Sequence, residues 1–333
     1  MLLKKIHSIR KISSPPSFKI VEEWEDILSQ QMNLKLDNDN KILHKIRWKL
    51  DHWKMSSLCK LFHFPSCTLG LRFDMDARTS NACVINKHTI PVIIDFWLGK
   101  DDLADFYKAY KKCPLVLLTS AEVYEFLKSN DCPLNIAHWP LSYPDHYKIE
   151  TDENYKKPFD FCLIGRPDPF FVRMLKQYAE DHPDFEYIVN NNNINNRKYY
   201  TNKGQYITQD TGRQSYMEII RHSKITCYTT PGLDEAKILP KKYNQVTPRL
   251  FEMIAGGCYV IAHYPTNADT KYYELDNIVA PVNNYPEFEK ALNNFREQPP
   301  RKIDECKSYL QKHYTSTRVS LLKHILDNRG IKY

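Results

Sequence analysis

The residues best placed to do chemistry lie in one run, Thr247-Pro-Arg-Leu-Phe-Glu-Met-Ile-Ala-Gly-Gly-Cys-Tyr-Val-Ile-Ala-His263. Arg249 and Glu252 are three apart, which places them on one face near the start of a short helix. Leu250, Phe251, Ile254 and Ala255 supply its buried side. Gly256 is expected to adopt the left-handed C-cap and turn the chain into the strand Cys258–Ala262. A helix N-terminus presents unpaired N–H groups and a dipole to phosphate. Arg249 adds a forked cation, and Glu252 an acceptor for a ribose diol. Together they suit a nucleoside diphosphate. They also suit plainer roles, with Glu252 capping its own helix and Arg249 pairing with Glu252 or Asp234.

Holding such residues at a rim requires strands that alternate with helices, and the chain has that pattern from about Pro91 onward. Strands are expected at Pro91–Trp97, Leu115–Thr119 and Asn135–His138. Between them fall helices at Asp101–Lys112 and Ala121–Lys128, the second N-capped by Ser120. The polar, proline-bounded stretch Tyr143–Pro158 reads as a linker. Alternation then restarts, with strands at Phe159–Ile164, Phe185–Val189, Lys224–Tyr228, Cys258–Ala262 and Ile278–Pro281. Helices are expected at Phe170–Asp181, Gln214–Ser223, Arg249–Ala255, Glu287–Arg296 and Glu305–Asn328, the last broken near Thr315–Thr317. Asn190–Asn202 reads as a loop. The expectation is an α/β protein of two Rossmann-like domains facing across a cleft, residues 1–150 and 151–333, with the last helix packing back on the first domain. Ligands of open parallel sheets sit beyond the carboxyl ends of the strands.

The order Arg-x-Phe-Glu-x-x-Ala-x-Gly, apolar strand, then Asn277-Ile-Val-Ala280 and a Glu-rich helix resembles the C-terminal domain of the CgeB-like glycosyltransferases, within the GT-B superfamily. Leu163-Ile-Gly-Arg166, Tyr216–Tyr228 and Tyr314–His324 match other parts of that domain, so the resemblance covers roughly residues 159–326. It implies a GT-B fold and a transferase that uses a nucleotide-sugar donor without a metal or other cofactor. It implies pyrophosphate contacts from Gly165, Arg166 and Arg249, and a ribose contact from Glu252. Many retaining members carry Glu-x7-Glu, whereas this chain has Asn244 eight residues before Glu252. That leaves the stereochemical outcome open.

Arg213, Thr229, Thr230 and Lys242 flank the same strand edges and are further donor-contact candidates. An inverting reaction needs a base for the acceptor hydroxyl. Asp95 and His138, each ending a strand of the first domain, are the candidates, followed by Asp74 and Asp76. The acceptor is expected to be a glycan or lipid-linked glycan, as in surface polysaccharide synthesis. The alternatives are a nucleotide-sugar epimerase of the same shape and a non-catalytic sugar-nucleotide scaffold.

Composition narrows the classes. The net charge of +7 is spread evenly, with 21 basic and 18 acidic residues in the first 150, which argues against a nucleic-acid partner. Nine cysteines without a C-x-x-C pair read as buried hydrophobes, not as a metal or disulfide framework. Neither half carries G-x-G-x-x-G, which disfavours a dinucleotide cofactor. No apolar run approaches the ~20 residues of a membrane-spanning helix. With no leader apparent either, a cytoplasmic location is expected. Lys41–Phe64 has six Lys or Arg against one acid, at helical apolar spacing, and is a candidate for peripheral contact with the inner face of the membrane.

Overall fold

A computed structural model describes residues 1–11, 18–38, 40–53, 68–77, 85–191, 197–209 and 212–333. The chain divides into two compact units, Met1–His146 with His313–Tyr333, and Tyr147–Lys312.

The first unit contains β1 (Leu3–Ser8), α1 (Lys19–Met32), β2 (Lys35–Asn38), α2 (Lys41–His52), β3 (Leu69–Asp76), β4 (Thr89–Asp95), α3 (Leu103–Tyr110), β5 (Val116–Leu118), α4 (Ala121–Ser129) and β6 (Ile136–His138). Its sheet runs β2-β1-β3-β4-β5-β6, and every pairing is parallel. A parallel sheet is covered on both faces, so its inner strands read as unbroken apolar runs. β4 is buried along its length except at Asp95. Ser120 caps α4 by accepting the Val123 N–H at 3.2 Å. β1 escapes a reading by pattern because four of its six residues, Lys4, Lys5, His7 and Ser8, are polar, and only Leu3, Ile6 and Ser8 are buried.

The second unit contains β7 (Phe159–Leu163), α5 (Pro169–Asp181), β8 (Tyr187–Asn190), β9 (Lys198–Thr201), β10 (Tyr206–Gln209), α6 (Arg213–His222), β11 (Ser223–Thr229), α7 (Pro248–Ala255), β12 (Tyr259–His263), α8 (Ala268–Tyr272), β13 (Ala280–Pro281), α9 (Tyr285–Glu297) and α10 (Ile303–Gln311). Its order is β10-β9-β8-β7-β11-β12-β13. Phe161, Leu163, Ile225, Cys227 and Ile261 pack with Phe171, Leu175 and Tyr178 of α5 and with Phe288 and Leu292 of α9. Alternate residues turn to the other face, where Tyr228 reaches the start of α7. The last helix, α11 (Thr315–Asp327), belongs to the first unit: Val319, Leu322 and Leu326 join Leu3, Ile6 and Trp24 in one core.

Three local readings are corrected. The stretch Asn190–Asn202 is not wholly loop, because β9 pairs antiparallel with β8 and starts a hairpin with β10. The left-handed residue after α7 is Gly257 (φ 69°), while Gly256 stays helical at φ −75°. Gly256 meets a different demand, since a Cβ there would lie 2.3 Å from Ile220 Cγ2. The helix break falls just ahead of Thr315, between α10 and α11. Among the described residues, no helix is long and apolar enough to cross a membrane.

Candidate functional site

The site is assembled at the carboxyl ends of β7 and β11. After β7 the chain turns at Gly165, whose φ of +88° disfavours any side chain. The Gly165 N–H donates to Asn190 Oδ1 at the end of β8 (2.7 Å). From the other side Arg249 grips the same turn, its guanidinium donating to the carbonyls of Ile164 (2.6 Å) and Arg166 (2.9 Å). Arg249 sits in the first turn of α7, where Pro248 fits the first helical position. The preceding Thr247 N–H donates to the Tyr228 hydroxyl at 2.9 Å, which ties the helix start to the sheet.

One turn further, Glu252 is only 7% exposed. Arg213, first residue of α6, donates to its Oε1 at 2.7 Å. The Tyr216 hydroxyl lies within hydrogen-bonding reach of the same carboxylate, and burial raises the phenol well above its ordinary range. The Arg213 guanidinium also lies 4.5 Å from the centroid of the Tyr147 ring. A Cβ on Gly165 would stand 3.7 Å from Arg249 Nη2 and 3.8 Å from the Tyr216 ring, so the glycine turn and the glutamate cluster are one site.

The other donor candidates divide. Arg166 is largely exposed and pairs with Asp234 at 2.9 Å. The Thr229 hydroxyl donates to Asp168 (2.7 Å), the N-cap of α5. Thr230 is fully buried and donates to Asn244 Oδ1 at 2.7 Å, so both residues brace the segment between β11 and α7 from inside. Lys242 is exposed. The plainer pairings of Arg249 with Glu252 or Asp234 do not form, as Arg213 and Arg166 take those carboxylates. Tyr147, Tyr216, Asn190 and Asp168 were not found by sequence reasoning. The cue for Tyr216 was its place one turn after Arg213, whereas Tyr147 lay in a stretch with no apolar period.

In the first unit, Asp95 at the end of β4 stands directly across from Asp76 in register with β3. Asp74 is buried against Arg72 at 2.9 Å. His138 ends β6 and stacks on Tyr124, and burial drives its pKa down to about 4. A ring so weakly basic is poorly matched to proton abstraction near neutrality. α2 covers Lys41–His52, and residues 54–64 of the basic segment lie outside the described residues. Among the described residues, no group of three or more His, Cys, Asp or Glu is arranged to hold a metal ion.

With this geometry in place, the family model for glycosyl transferase-like domains matches residues 166–323. The chain is also similar to the solved structure of a GtfA/B complex, at 9% identity and a TM-score of 0.52 over 82% of this chain. It spans 59% of the length of that structure. A second similar structure is the lipopolysaccharide outer core galactosyltransferase WaaB in its apo form, again at 9% identity and a TM-score of 0.52. That match covers 99% of this chain and 100% of the other. No curated protein matches the sequence significantly. The fold is the GT-B fold of glycosyltransferases.

Proposed function

We propose that the chain transfers a sugar from a nucleotide-sugar donor, held by residues 147–312, to a glycan or lipid-linked glycan of the cell surface. The observation that carries this reading is the convergence of Arg249, Arg213 and Glu252 around the positive-φ turn at Gly165. In this reading guanidinium groups stabilise the charge that builds on the departing diphosphate. Glu252 accepts hydrogen bonds from the ribose diol. Asp95, beside Asp76, takes the acceptor proton if configuration inverts. No metal or other cofactor is required of these groups.

Thermal-shift titration with UDP, GDP, CMP and their sugar conjugates tests the reading. A ligand at ~100 times its dissociation constant adds about 2.7 kcal/mol of stability. A shift with one nucleotide, lost in Glu252→Ala, is the expected result. No shift with any of them would overturn the donor site.

The proposal extends to a peripheral place at the inner face of the cytoplasmic membrane. Ile42 and Trp53 are 69% and 61% exposed, and Lys45 and Lys49 are exposed between them. Positions 42, 45, 49 and 53 fall on one helical stripe, a pattern suited to anionic lipid. Co-sedimentation with vesicles containing an anionic lipid should fall in Lys45→Glu/Lys49→Glu, and unchanged binding would sink this part.

A further inference from the structure

We propose that Tyr147 is a positioning residue of the donor site, carrying Arg213 on its ring face so that the guanidinium meets the diphosphate already oriented. The inference rests on the nucleotide reading above and adds a residue to it. Three contacts hold the Arg213–Glu252 pair. Arg213 donates to Glu252 Oε1 at 2.7 Å, Tyr147 lies 4.5 Å beneath the guanidinium, and Tyr216 reaches Glu252 from the same helix as Arg213.

The arrangement has a physical logic. A guanidinium is planar, weakly hydrated and stacks on aromatic faces, so a ring under it fixes the plane in which its N–H groups point. Arginine carries five such N–H groups in a fixed fork, so the plane of the guanidinium decides where they point. A carboxylate has about four acceptor positions, so Glu252 can keep Arg213 and Tyr216 and still accept a diol. Ordering a long flexible cation before the ligand arrives lowers the entropic cost of binding. α6 begins at Arg213, directly after Gly212 with its φ of +116°. The stack with Tyr147 therefore supplies orientation at the first residue of the helix.

Tyr147 is half-buried and lies outside the hydrophobic core of its unit, so truncating it leaves the fold intact. The test is calorimetry with UDP, GDP, ADP and dTDP, each beside its monophosphate, on wild type, Tyr147→Leu and Tyr147→Phe. Tyr147→Leu is expected to weaken the diphosphate by about fivefold, the range of a partly solvated cation–π contact. The monophosphate should change by less than about twofold, and Tyr147→Phe should restore wild-type affinity because a ring face without a hydroxyl carries the same stack. Equal losses for both nucleotides, no loss at all, or failure of phenylalanine to restore would overturn the role of Tyr147. Wild type binding none of the eight nucleotides would instead overturn the donor site itself, and this role with it.

Discussion

Both sheets reverse strand order beside their first strand, between β1 and β3 in one unit and between β7 and β11 in the other. Such a reversal opens a crevice at the carboxyl ends of the strands. The polar groups there differ in how their charge is balanced. In the first unit Glu25, 2% exposed, accepts from the Ser8 hydroxyl at 2.6 Å and from Arg10 at 2.9 Å. Burial still pushes the Glu25 carboxyl above its ordinary pKa, although both partners pull it down. Cation and anion there answer each other. In the second unit Arg249 is held by two neutral carbonyls, so those bonds orient the guanidinium without cancelling its charge. A cation fixed by dipoles keeps its charge for an anion, and the proposed donor site uses this at Arg249, beside the carboxylate-paired Arg213.

This contrast can be broken by experiment. The largest effect is expected for Glu25→Ala, which removes the buried acceptor of the Ser8 hydroxyl and of one edge of Arg10, still paired with Asp26, and should cost about 3 kcal/mol in urea unfolding. Nucleotide affinity should not change, and a parallel loss of affinity would erase the distinction between the two crevices. Arg249→Ala should do the reverse, weakening diphosphate binding by roughly 10- to 100-fold through lost charge-assisted hydrogen bonds. Lysine at 249 should recover little, because an ammonium cannot bridge two carbonyls in a fork.

The next effect concerns protons. His138 is held neutral in the folded state down to about 4, against an ordinary 6.5. Between those values the unfolded chain binds more protons, so stability rises with pH there and is lost on acidification. His138→Phe should therefore flatten the decline from pH 6.5 to 4 by about 2 kcal/mol in chemical unfolding. An unchanged acid limb would contradict the buried neutral ring. The smallest effect is expected for Arg173→Ala, which breaks an exposed pair with Glu235 on the rim of the second unit. About 0.5 kcal/mol or less is anticipated, with little change in nucleotide affinity.

Much of the second unit was legible because its strands are short apolar runs punctuated by Gly165, Gly212 and the Gly256–Gly257 pair. Arg249 and Glu252 stood out for the same reason, being polar residues at fixed spacing in an apolar helix. What stayed hidden depends on pairing across the fold. Nothing local in Asn190–Asn202 announces that Lys198–Thr201 will pair with β8. Thr229 and Thr230 look alike in sequence, yet strand alternation sends one to Asp168 at the rim and the other inward to Asn244. β1 was opaque because its buried residues are Leu3, Ile6 and Ser8, which share no strand period.

The return of α11 to the first unit bears on how the chain is made. Leu3, Ile6 and Trp24 leave the ribosome early, but Val319, Leu322 and Leu326 of the same core follow only after the whole of Tyr147–Lys312. The second unit, contiguous in sequence, can close as soon as it emerges, because domains generally fold as units during synthesis. The first must wait with its partners still unmade. Chains truncated after Lys312 and released from the ribosome should show protected amides across 147–312 and an unfinished, apolar surface in 1–146.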